Sequence, residues 1–214
     1  MFTGMSLRLH YRPGTASMAP HAALAEIGVE YELVEVVRDE AGRVPADYLA
    51  LNPSGRVPTL EDGALVVTES AAILLHLGDR YPDAHLVPDV GTAERTELYR
   101  SLLNQTNTLQ PALMRVMYPE RYGGAGVREA AVADAQEQVE RLDGQLANRL
   151  WLVGTERTAA DLFLFMLTRW GRHLDPPAWD RPNIRAHFVR TLALPGVGRM
   201  MDEQGLERPP FAVA

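Results

Sequence analysis

Over the first third of the chain, some segments have apolar residues at the spacing typical of a strand and others at the spacing typical of a helix. This pattern predicts strands and helices that alternate along the chain. Leu7–Tyr11 is predicted as a strand, and Tyr31–Val37, where apolar and polar residues alternate, as a second strand. Between them we expect a helix through Ile27, capped at its start by Ser17 and ended by Gly28 in a left-handed conformation. A helical connection makes the two strands parallel.

The same alternation continues to about residue 83. A short helix is predicted at Ala46–Leu51, and two strands, Thr59–Glu61 and Ala64–Thr68, flank an Asp-Gly turn that favours a hairpin. A third helix follows over Ser70–Tyr81. The order βαβαββα, with the last hairpin antiparallel, predicts an α/β domain over 1–83 with a mixed four-stranded sheet. This order resembles the thioredoxin-like fold.

Nothing beyond this domain has the pattern of a sheet. Residues 84–91 contain Pro88 and Gly91 and are predicted as a linker, and 92–214 as an all-helical domain. Its first helical stretch, Thr92–Tyr118, is expected to be bent or broken near Pro111.

Further helices are predicted in the second half of this domain. Thr158 and Asp161 form a capping box that opens Leu162–Trp170, a segment apolar on nearly all sides and therefore expected at the centre of the domain. Another helix begins at Pro182, and Pro195-Gly196 precedes a last short one. One more amphipathic helix is marked by apolar residues at Val132, Val139, Leu142, Leu146 and Leu150.

Composition narrows the function classes. The formal charge of −7 argues against nucleic acid or an anionic membrane as a partner. No apolar run approaches the roughly 20 residues of a membrane span, and Met1–Leu9 lacks the apolar region of a signal peptide. We therefore expect a cytoplasmic protein.

The chain contains no cysteine, which excludes disulfides and any thiol nucleophile supplied by the protein. Redox exchange of the glutaredoxin type is excluded with it. The six histidines form no pair at a spacing of four residues and no HExxH motif, so no metal site is predicted.

Two short motifs carry candidate binding chemistry. The first is Asn52-Pro53-Ser54-Gly55-Arg56-Val57-Pro58-Thr59-Leu60, in which a cis Val57-Pro58 bond would turn the Val57 N–H and C=O outward to pair with an extended peptide. In the second, Thr68-Glu69-Ser70, the Ser70 hydroxyl and the helix N-terminus suit a carboxylate, and Glu69 suits an ammonium. The alternatives are a trans proline on an edge strand and simple helix capping by Thr68 or Ser70.

An extended peptide with an amino acid at one end fits both motifs, and glutathione is such a ligand. Together with the opening Tyr11-Arg12-Pro13-Gly14-Thr15-Ala16-Ser17-Met18-Ala19-Pro20-His21, the helical remainder and Gly154…Thr158-Ala159-Ala160-Asp161, they resemble the glutathione transferase family, most closely its bacterial beta-type members.

The resemblance implies a cytosolic, homodimeric detoxification enzyme that conjugates glutathione to an apolar electrophile bound by the helical domain. In the family the Val-Pro bond is cis and pairs with the cysteinyl backbone of glutathione. By resemblance, Val57 and Pro58 take this role, Glu69 and Ser70 hold the γ-glutamyl end, and Arg56 lines the cleft.

The catalytic corner departs from the family pattern, because Ala16 stands where beta-type members have cysteine. The thiol of glutathione, with a free pKa of about 8.5, must ionise near neutral pH, and a shift of two units corresponds to ~2.7 kcal/mol. Ser17, at the start of the first helix, is the leading candidate donor, followed by Tyr11 and Thr15. Main-chain N–H groups, or no activation at all, remain alternatives.

The long helix is expected to line the site from the other side. Asn107 falls where beta-type relatives carry a histidine near the sulfur, and Asn104 lies one turn earlier. Both are candidate glutathione contacts, within one subunit or across a dimer, with a structural hydrogen bond as the simpler alternative. Met114, Met117 and Tyr118 suit an adaptable apolar pocket or plain core.

Three other functions stay open at this point. Glutathione-dependent peroxide reduction would use the same thiolate, and another thiol compound could replace glutathione. A non-catalytic binding protein would keep the γ-glutamyl site and lack sulfur activation, as Ala16 allows. The electrophile itself is not revealed.

Overall fold

The computed structural model describes residues 7–212, and the chain divides into two compact units. The first unit comprises the chain up to Ala84 together with Leu194 onwards, and the second comprises His85–Ala193. The predicted domains 1–83 and 92–214 include residues 1–6 and 213–214, which lie outside the described residues.

The first unit contains the predicted mixed four-stranded sheet. Its strands are β1 (Leu7–Tyr11), β2 (Tyr31–Glu35), β3 (Thr59–Asp62) and β4 (Leu65–Thr68), in the order β2-β1-β3-β4. β1 is parallel to β2 and antiparallel to β3, and β4 is antiparallel to β3. The prediction of a thioredoxin-like sheet is confirmed.

The predicted second strand was two residues too long. Val36 still donates its N–H to the Tyr11 carbonyl at 2.9 Å, but it lies outside β2. Val37 is 63% exposed, so its apolar side chain does not mark a core position.

Three helices follow the strands in the predicted order, α1 (Met18–Ile27), α2 (Ala46–Leu51) and α3 (Ser70–Arg80). Gly28 ends α1 with a φ of 77°, the left-handed conformation expected of it. The prediction that the Ser17 side chain caps α1 is wrong. Ser17 occupies the N-cap position, but its backbone is already helical and its hydroxyl makes no capping hydrogen bond.

The second unit begins with the predicted long helical stretch. It consists of α4 (Ala93–Asn104), a π-helical segment (Gln105–Leu109) and α5 (Gln110–Met117). The Gln110 N–H donates to the Gln105 carbonyl, five residues back. Pro111 explains the irregularity, because its ring would clash with the carbonyl four residues earlier in a regular α-helix. The expected bend or break is a wider helical turn.

α6 (Ala125–Leu146) is the predicted amphipathic helix. Its fully buried apolar residues are spaced by three or four: Ala131, Ala135, Val139, Leu142 and Leu146. The assignment of Leu150 to this face is wrong, because Leu150 lies beyond the end of the helix and is 59% exposed.

α7 (Ala159–Trp170) is the central helix of the second unit, as predicted. Eleven of its twelve residues are buried. The capping box is present, with the Thr158 N–H donating to the Asp161 carboxylate at 2.8 Å. Asp161 also accepts hydrogen bonds from the Leu152 N–H at 2.9 Å and from His187, whose Nε2 lies 2.9 Å away.

The chain completes the second unit with α8 (Pro182–Leu192) and then forms α9 (Pro195–Glu203), which packs against α1 in the first unit. The predicted helical domain 92–214 therefore differs from the observed unit at its end. Close packing explains the return: the Gly196 N–H donates to the Glu26 carboxylate, and any side chain at 196 would collide with the α1 main chain. In the described part of the chain, no helix combines the length and apolarity needed to cross a membrane.

Candidate active site

The pairing of the strands places three loops next to one another at one end of the sheet. Tyr11 ends β1, Thr59 begins β3 and Thr68 ends β4. His10 is paired with Thr59, and Thr59 with Thr68. Because neighbouring antiparallel strands run in opposite directions, the loop after Tyr11, the loop before Thr59 and the loop after Thr68 emerge side by side. These loops and the residues at their ends contain every candidate site residue of the first unit; we call the surface formed by residues 11–17, 56–59 and 68–70 the groove.

Val57 presents free main-chain groups to the groove. Its peptide bond to Pro58 is cis, as predicted. Neither the Val57 N–H nor its C=O makes a hydrogen bond to any residue between 7 and 212. The Val57 side chain is buried against Val36 and Tyr48, which turns the apolar part of the residue inward.

The carbonyl of Arg56, just before Val57, is held by side chains that sequence reasoning missed. It accepts hydrogen bonds from the Tyr48 hydroxyl at 2.6 Å and the Asn52 amide at 2.8 Å. Thr59 bonds to both of these side chains. The Asn-Pro-Ser sequence could have revealed part of this arrangement, since Asn52 accepts from the Ser54 N–H in an Asx turn. The Arg56 side chain is exposed.

Glu69 and Ser70 lie at the start of α3. Glu69 is exposed and has φ 68° and ψ 120°, an unusual conformation for a residue with a side chain. Ser70 is buried, and its hydroxyl donates to the Ala16 carbonyl at 2.8 Å. Neither Thr68 nor Ser70 caps α3, so the simple capping alternative is wrong. The Ser70 bond instead joins the start of α3 to the start of α1.

The hydroxyls of Ser17 and Thr15 are turned into the β1–α1 loop. The Ser17 Oγ lies 3.0 Å from the Arg12 carbonyl, to which it donates, and accepts from the Arg12 N–H at 3.3 Å. The Thr15 hydroxyl also donates to the Arg12 carbonyl, at 2.8 Å. Ser17 is fully buried. Neither hydroxyl proton is therefore free to bond a sulfur atom without breaking a bond inside the loop.

Two main-chain donors at the start of α1 have no partner. The N–H groups of Ala16 and Ser17 make no hydrogen bond to another described residue. Ala16 is half-buried, and the first turn of α1 contains no acidic side chain. A helix N-terminus carries a partial positive charge, so these two amides suit an anion.

Tyr11 ends β1 with a half-buried side chain. Burial and the nearby carboxylates of Glu35 and Glu203 raise the pKa of its hydroxyl, which stays protonated at neutral pH and can donate a hydrogen bond. The negative charges of Glu35 and Glu203 also disfavour the binding of a further anion close to the Tyr11 ring.

Comparisons with known proteins agree with this geometry. Residues 5–79 match the family model of the glutathione S-transferase N-terminal domain, and residues 106–195 match that of the C-terminal domain. A glutathione S-transferase, GstA, of Escherichia coli O157:H7 is 30% identical over 210 residues, which cover 94% of this chain and 100% of the relative. This chain belongs to the glutathione S-transferase family. The prediction of a glutathione transferase is thereby confirmed.

Solved structures support the same assignment for this transferase. A bacterial beta class glutathione S-transferase of Sphingomonas chungbukensis is 33% identical with a TM-score of 0.83, covering 94% of this chain and all of that one. A sphingomonad glutathione S-transferase solved in complex with glutathione is 30% identical, with the same TM-score and coverage. The predicted likeness to beta-type members and the predicted fold class are confirmed.

In this transferase, residues at and just after the end of α9 form hydrogen bonds with the β1–α1 loop and with α1. The Gly14 N–H donates to the Gln204 side-chain oxygen at 3.1 Å, and the Gln204 amide nitrogen lies 3.0 Å from Nδ1 of His21. Because that nitrogen can only donate, Nδ1 accepts and the proton lies on Nε2, 2.7 Å from the Glu203 carboxylate. Burial lowers the pKa of His21, which favours this neutral form.

The remaining predicted contacts lie in the second unit, on the α4–α5 stretch. Asn104 ends α4 and is half-buried, whereas Asn107 lies in the π-helical segment and is exposed. The Asn107 side-chain oxygen is 3.5 Å from the Thr106 hydroxyl. Met114 and Met117 are half-buried, neither plain core nor fully open. The roles predicted for these residues stay predictions.

No cluster of three or more potential metal ligands occurs within residues 7–212.

Proposed function

We propose that this transferase binds glutathione in the groove, with the tripeptide backbone along Val57 and the γ-glutamyl end at Glu69 and Ser70. One observation carries the proposal: the unpaired N–H and C=O of Val57 lie at the same edge of the sheet as the start of α3. The sphingomonad relative solved with glutathione supports this choice of ligand.

Each part of the ligand has a suitable partner. An extended peptide exchanges two hydrogen bonds with one residue of a strand-like segment, and Val57 offers both groups. The exposed Glu69 carboxylate suits the ammonium, and the N-terminus of α3 at Ser70 suits the γ-glutamyl carboxylate. The exposed Arg56 guanidinium is available for the other carboxylate of glutathione.

The thiolate, in this proposal, is stabilised mainly by the N–H of the half-buried Ala16 and by the partial positive charge of the helix N-terminus, to which the buried Ser17 N–H contributes. One charge-assisted hydrogen bond contributes about 1.5–3 kcal/mol and a helix N-terminus about 0.3–1 kcal/mol more, together enough for the ~2.7 kcal/mol that a two-unit fall in pKa requires. Tyr11 supplies a weaker additional donor. Ser17 and Thr15 contribute through the shape of the loop, since both of their hydroxyls already donate within it.

The reaction follows from the thiolate. The thiol releases its proton to solvent, and the sulfur lone pair forms a bond to an electrophilic carbon of an apolar substrate. The leaving group departs with its electron pair, or, in an addition, the resulting carbanion takes a proton from water. No metal is needed in this sequence of steps.

The family resemblance supports three further parts of the proposal. The transferase acts in the cytoplasm, forms a homodimer and serves detoxification. Asn104 and Asn107 contact glutathione, which single alanine variants test through its dissociation constant. Sedimentation of the purified protein tests the dimer.

Calorimetric titration with glutathione, combined with the ultraviolet absorbance of its thiolate across pH, tests the central claim. We expect binding and a bound-thiol pKa at least one unit below its free value of about 8.5. Absence of binding, with another thiol compound binding instead, would overturn the choice of ligand. Binding with an unshifted thiol pKa would leave a binding protein in place of the enzyme.

A further inference from the structure

Three side chains and the Arg56 carbonyl form a closed ring of hydrogen bonds. Asn52 donates one amide proton to the Arg56 carbonyl and the other to the Thr59 hydroxyl, at 2.8 and 2.9 Å. Tyr48 donates to the same carbonyl at 2.6 Å, which leaves Thr59 to donate to the Tyr48 oxygen at 2.8 Å. Every proton in the ring therefore has one assigned acceptor.

The orientation of the ring is fixed from outside. The Asn52 side-chain oxygen accepts from the N–H and the hydroxyl of Ser54, at 3.1 and 2.8 Å, so its amide nitrogen must face the ring. Thr59 is fully buried and belongs to β3, where it is paired with His10 and Thr68. The ring thus ties the Arg56 carbonyl to the first residue of β3, an inner strand of the sheet.

The ring also explains why α2 is present. Tyr48 is the only fully buried residue of this six-residue helix. Its aromatic ring packs with Val36 and Val57, while its hydroxyl reaches past Val57 to the Arg56 carbonyl. A short helix with a single buried anchor contributes little core. Its buried hydroxyl instead acts on the residue that precedes Val57.

We propose that Tyr48, Asn52 and Thr59 are positioning residues that set the affinity for glutathione by holding the Val57 main chain in its binding orientation. Both acceptor positions of the Arg56 carbonyl are occupied, so the peptide plane entering Val57 cannot rotate without breaking two bonds. A loop ordered before binding does not lose conformational entropy when the ligand arrives. This inference rests on the proposed function.

The Tyr48→Phe variant tests it, because it removes the hydroxyl and keeps the ring. We expect the dissociation constant to rise about three- to tenfold, and equally for glutathione and S-methylglutathione, since both offer the same backbone. The pKa of the bound thiol should not change, because no donor to sulfur is altered. Tyr81→Phe is the matched control; it removes a half-buried hydroxyl that accepts from Arg80 outside the ring.

Two variants of Thr59 provide a second, independent test. Thr59→Ser keeps the hydroxyl and should retain near-parental affinity, whereas Thr59→Val keeps the shape and should weaken binding as Tyr48→Phe does. If Thr59→Val does not fold, Tyr48→Phe and Thr59→Ser still decide the matter. Parental affinity in Tyr48→Phe, or a shifted thiol pKa at unchanged affinity, would overturn the inference while the proposed function stands. Absence of glutathione binding by the parent protein would overturn the proposed function first, and this inference with it.

Discussion

The groove is built differently at its two ends. At the peptide end, around Val57 and Ser70, buried side chains hold the main chain through specific hydrogen bonds. At the sulfur end, around Ala16, the free donors are two main-chain amides, and the nearby hydroxyls are used within the loop. In the proposed binding mode, the main-chain groups that bind the tripeptide are held by buried side chains, whereas ionisation of the thiol depends on the N-terminus of α1.

This difference explains how the cysteine position can be occupied by alanine. A side chain that donates to sulfur can be lost by one substitution, but the N-terminus of α1 persists as long as the helix does. At the peptide end, no comparable main-chain feature would replace a side chain that is lost. Variants at the two ends should therefore fail in different measurements, affinity at one and thiol acidity at the other.

The largest effect is expected at the peptide end. The E69A/S70A variant removes the carboxylate for the ammonium and the hydroxyl that joins α3 to Ala16. The charge-assisted contact of Glu69 is worth about 1.5–3 kcal/mol and the hydrogen bond of the Ser70 hydroxyl about 1 kcal/mol, so the dissociation constant of glutathione should rise about a hundredfold. Calorimetry measures it. E40A, at an exposed site outside the groove, is the control, and parental affinity in the double variant would contradict the γ-glutamyl assignment.

The A16C variant probes the sulfur end without any ligand. It would be the only cysteine in the chain, beside the free N–H groups at the start of α1. We expect its thiol pKa to fall about one unit or more below 8.5, as cysteines at helix N-termini do. Thiolate absorbance across pH measures the value.

A cysteine at Ala133, exposed within α6, is the reference for that measurement. Equal pKa values for the two thiols would mean that the start of α1 does not favour an anion, and the proposed role of its amides would be lost.

The Y11F variant should have a smaller effect. Loss of one hydroxyl donor is worth about 1 kcal/mol, so the pKa of bound glutathione should rise by less than one unit while its affinity stays near the parental value. A rise of two units would make Tyr11 the principal donor instead.

S17A completes the pair at the same end. We expect an unchanged pKa of the bound thiol and a free energy of unfolding lower by about 1–3 kcal/mol, because the hydrogen bonds of the Ser17 hydroxyl to the Arg12 N–H and carbonyl are lost. Thiolate titration and denaturant unfolding separate the two effects. A large rise in thiol pKa would restore Ser17 as the direct donor.

The smallest expected effect is at His21 and concerns the dependence of folding stability on pH. Its pKa is lowered by burial, against opposing contributions from Glu203, and Arg199 lowers it further; Tyr31 and Gln204 also face it. The unfolded chain therefore takes up a proton before the folded one, and stability should decline as pH falls below about 6.5.

The H21N variant should be less stable at neutral pH and should lose this decline, with Tm recorded between about pH 7.5 and 5.5. The exposed His85, replaced by asparagine, is the control. An identical decline in H21N would place its origin elsewhere. The lowered pKa of Glu203 acts in a separate window, below its ordinary 4.5.

Local patterns were sufficient for much of the fold. Period-two alternation identified β1 and β2, the capping box identified α7, and the apolar spacing identified α6. The errors in the predicted elements were at their ends, as at Val37 and Leu150. There an apolar residue continues the pattern although the strand or helix has already ended. The return of α9 to the first unit was not predictable, because it depends on close contact between Gly196 and α1.

The site shows a similar division. The Val57-Pro58 and Glu69-Ser70 motifs were found because they need particular residues at fixed spacings. Tyr48 and Thr59 were missed, since a tyrosine in a short helix and a threonine in a strand give no local sign that they bond the same carbonyl. Ser17 was ranked first for its helix-capping position, and only the three-dimensional path of the loop shows its hydroxyl turned to Arg12.

The backbone at Glu69 has a consequence for how this protein responds to selection. Glycine has no Cβ and would adopt φ 68° and ψ 120° at a lower steric cost than glutamate, so E69G should raise the free energy of unfolding by about 1 kcal/mol while abolishing the charge at that position. Libraries screened by heat alone should accumulate glycine there, and libraries screened by capture on a glutathione resin should retain the acid.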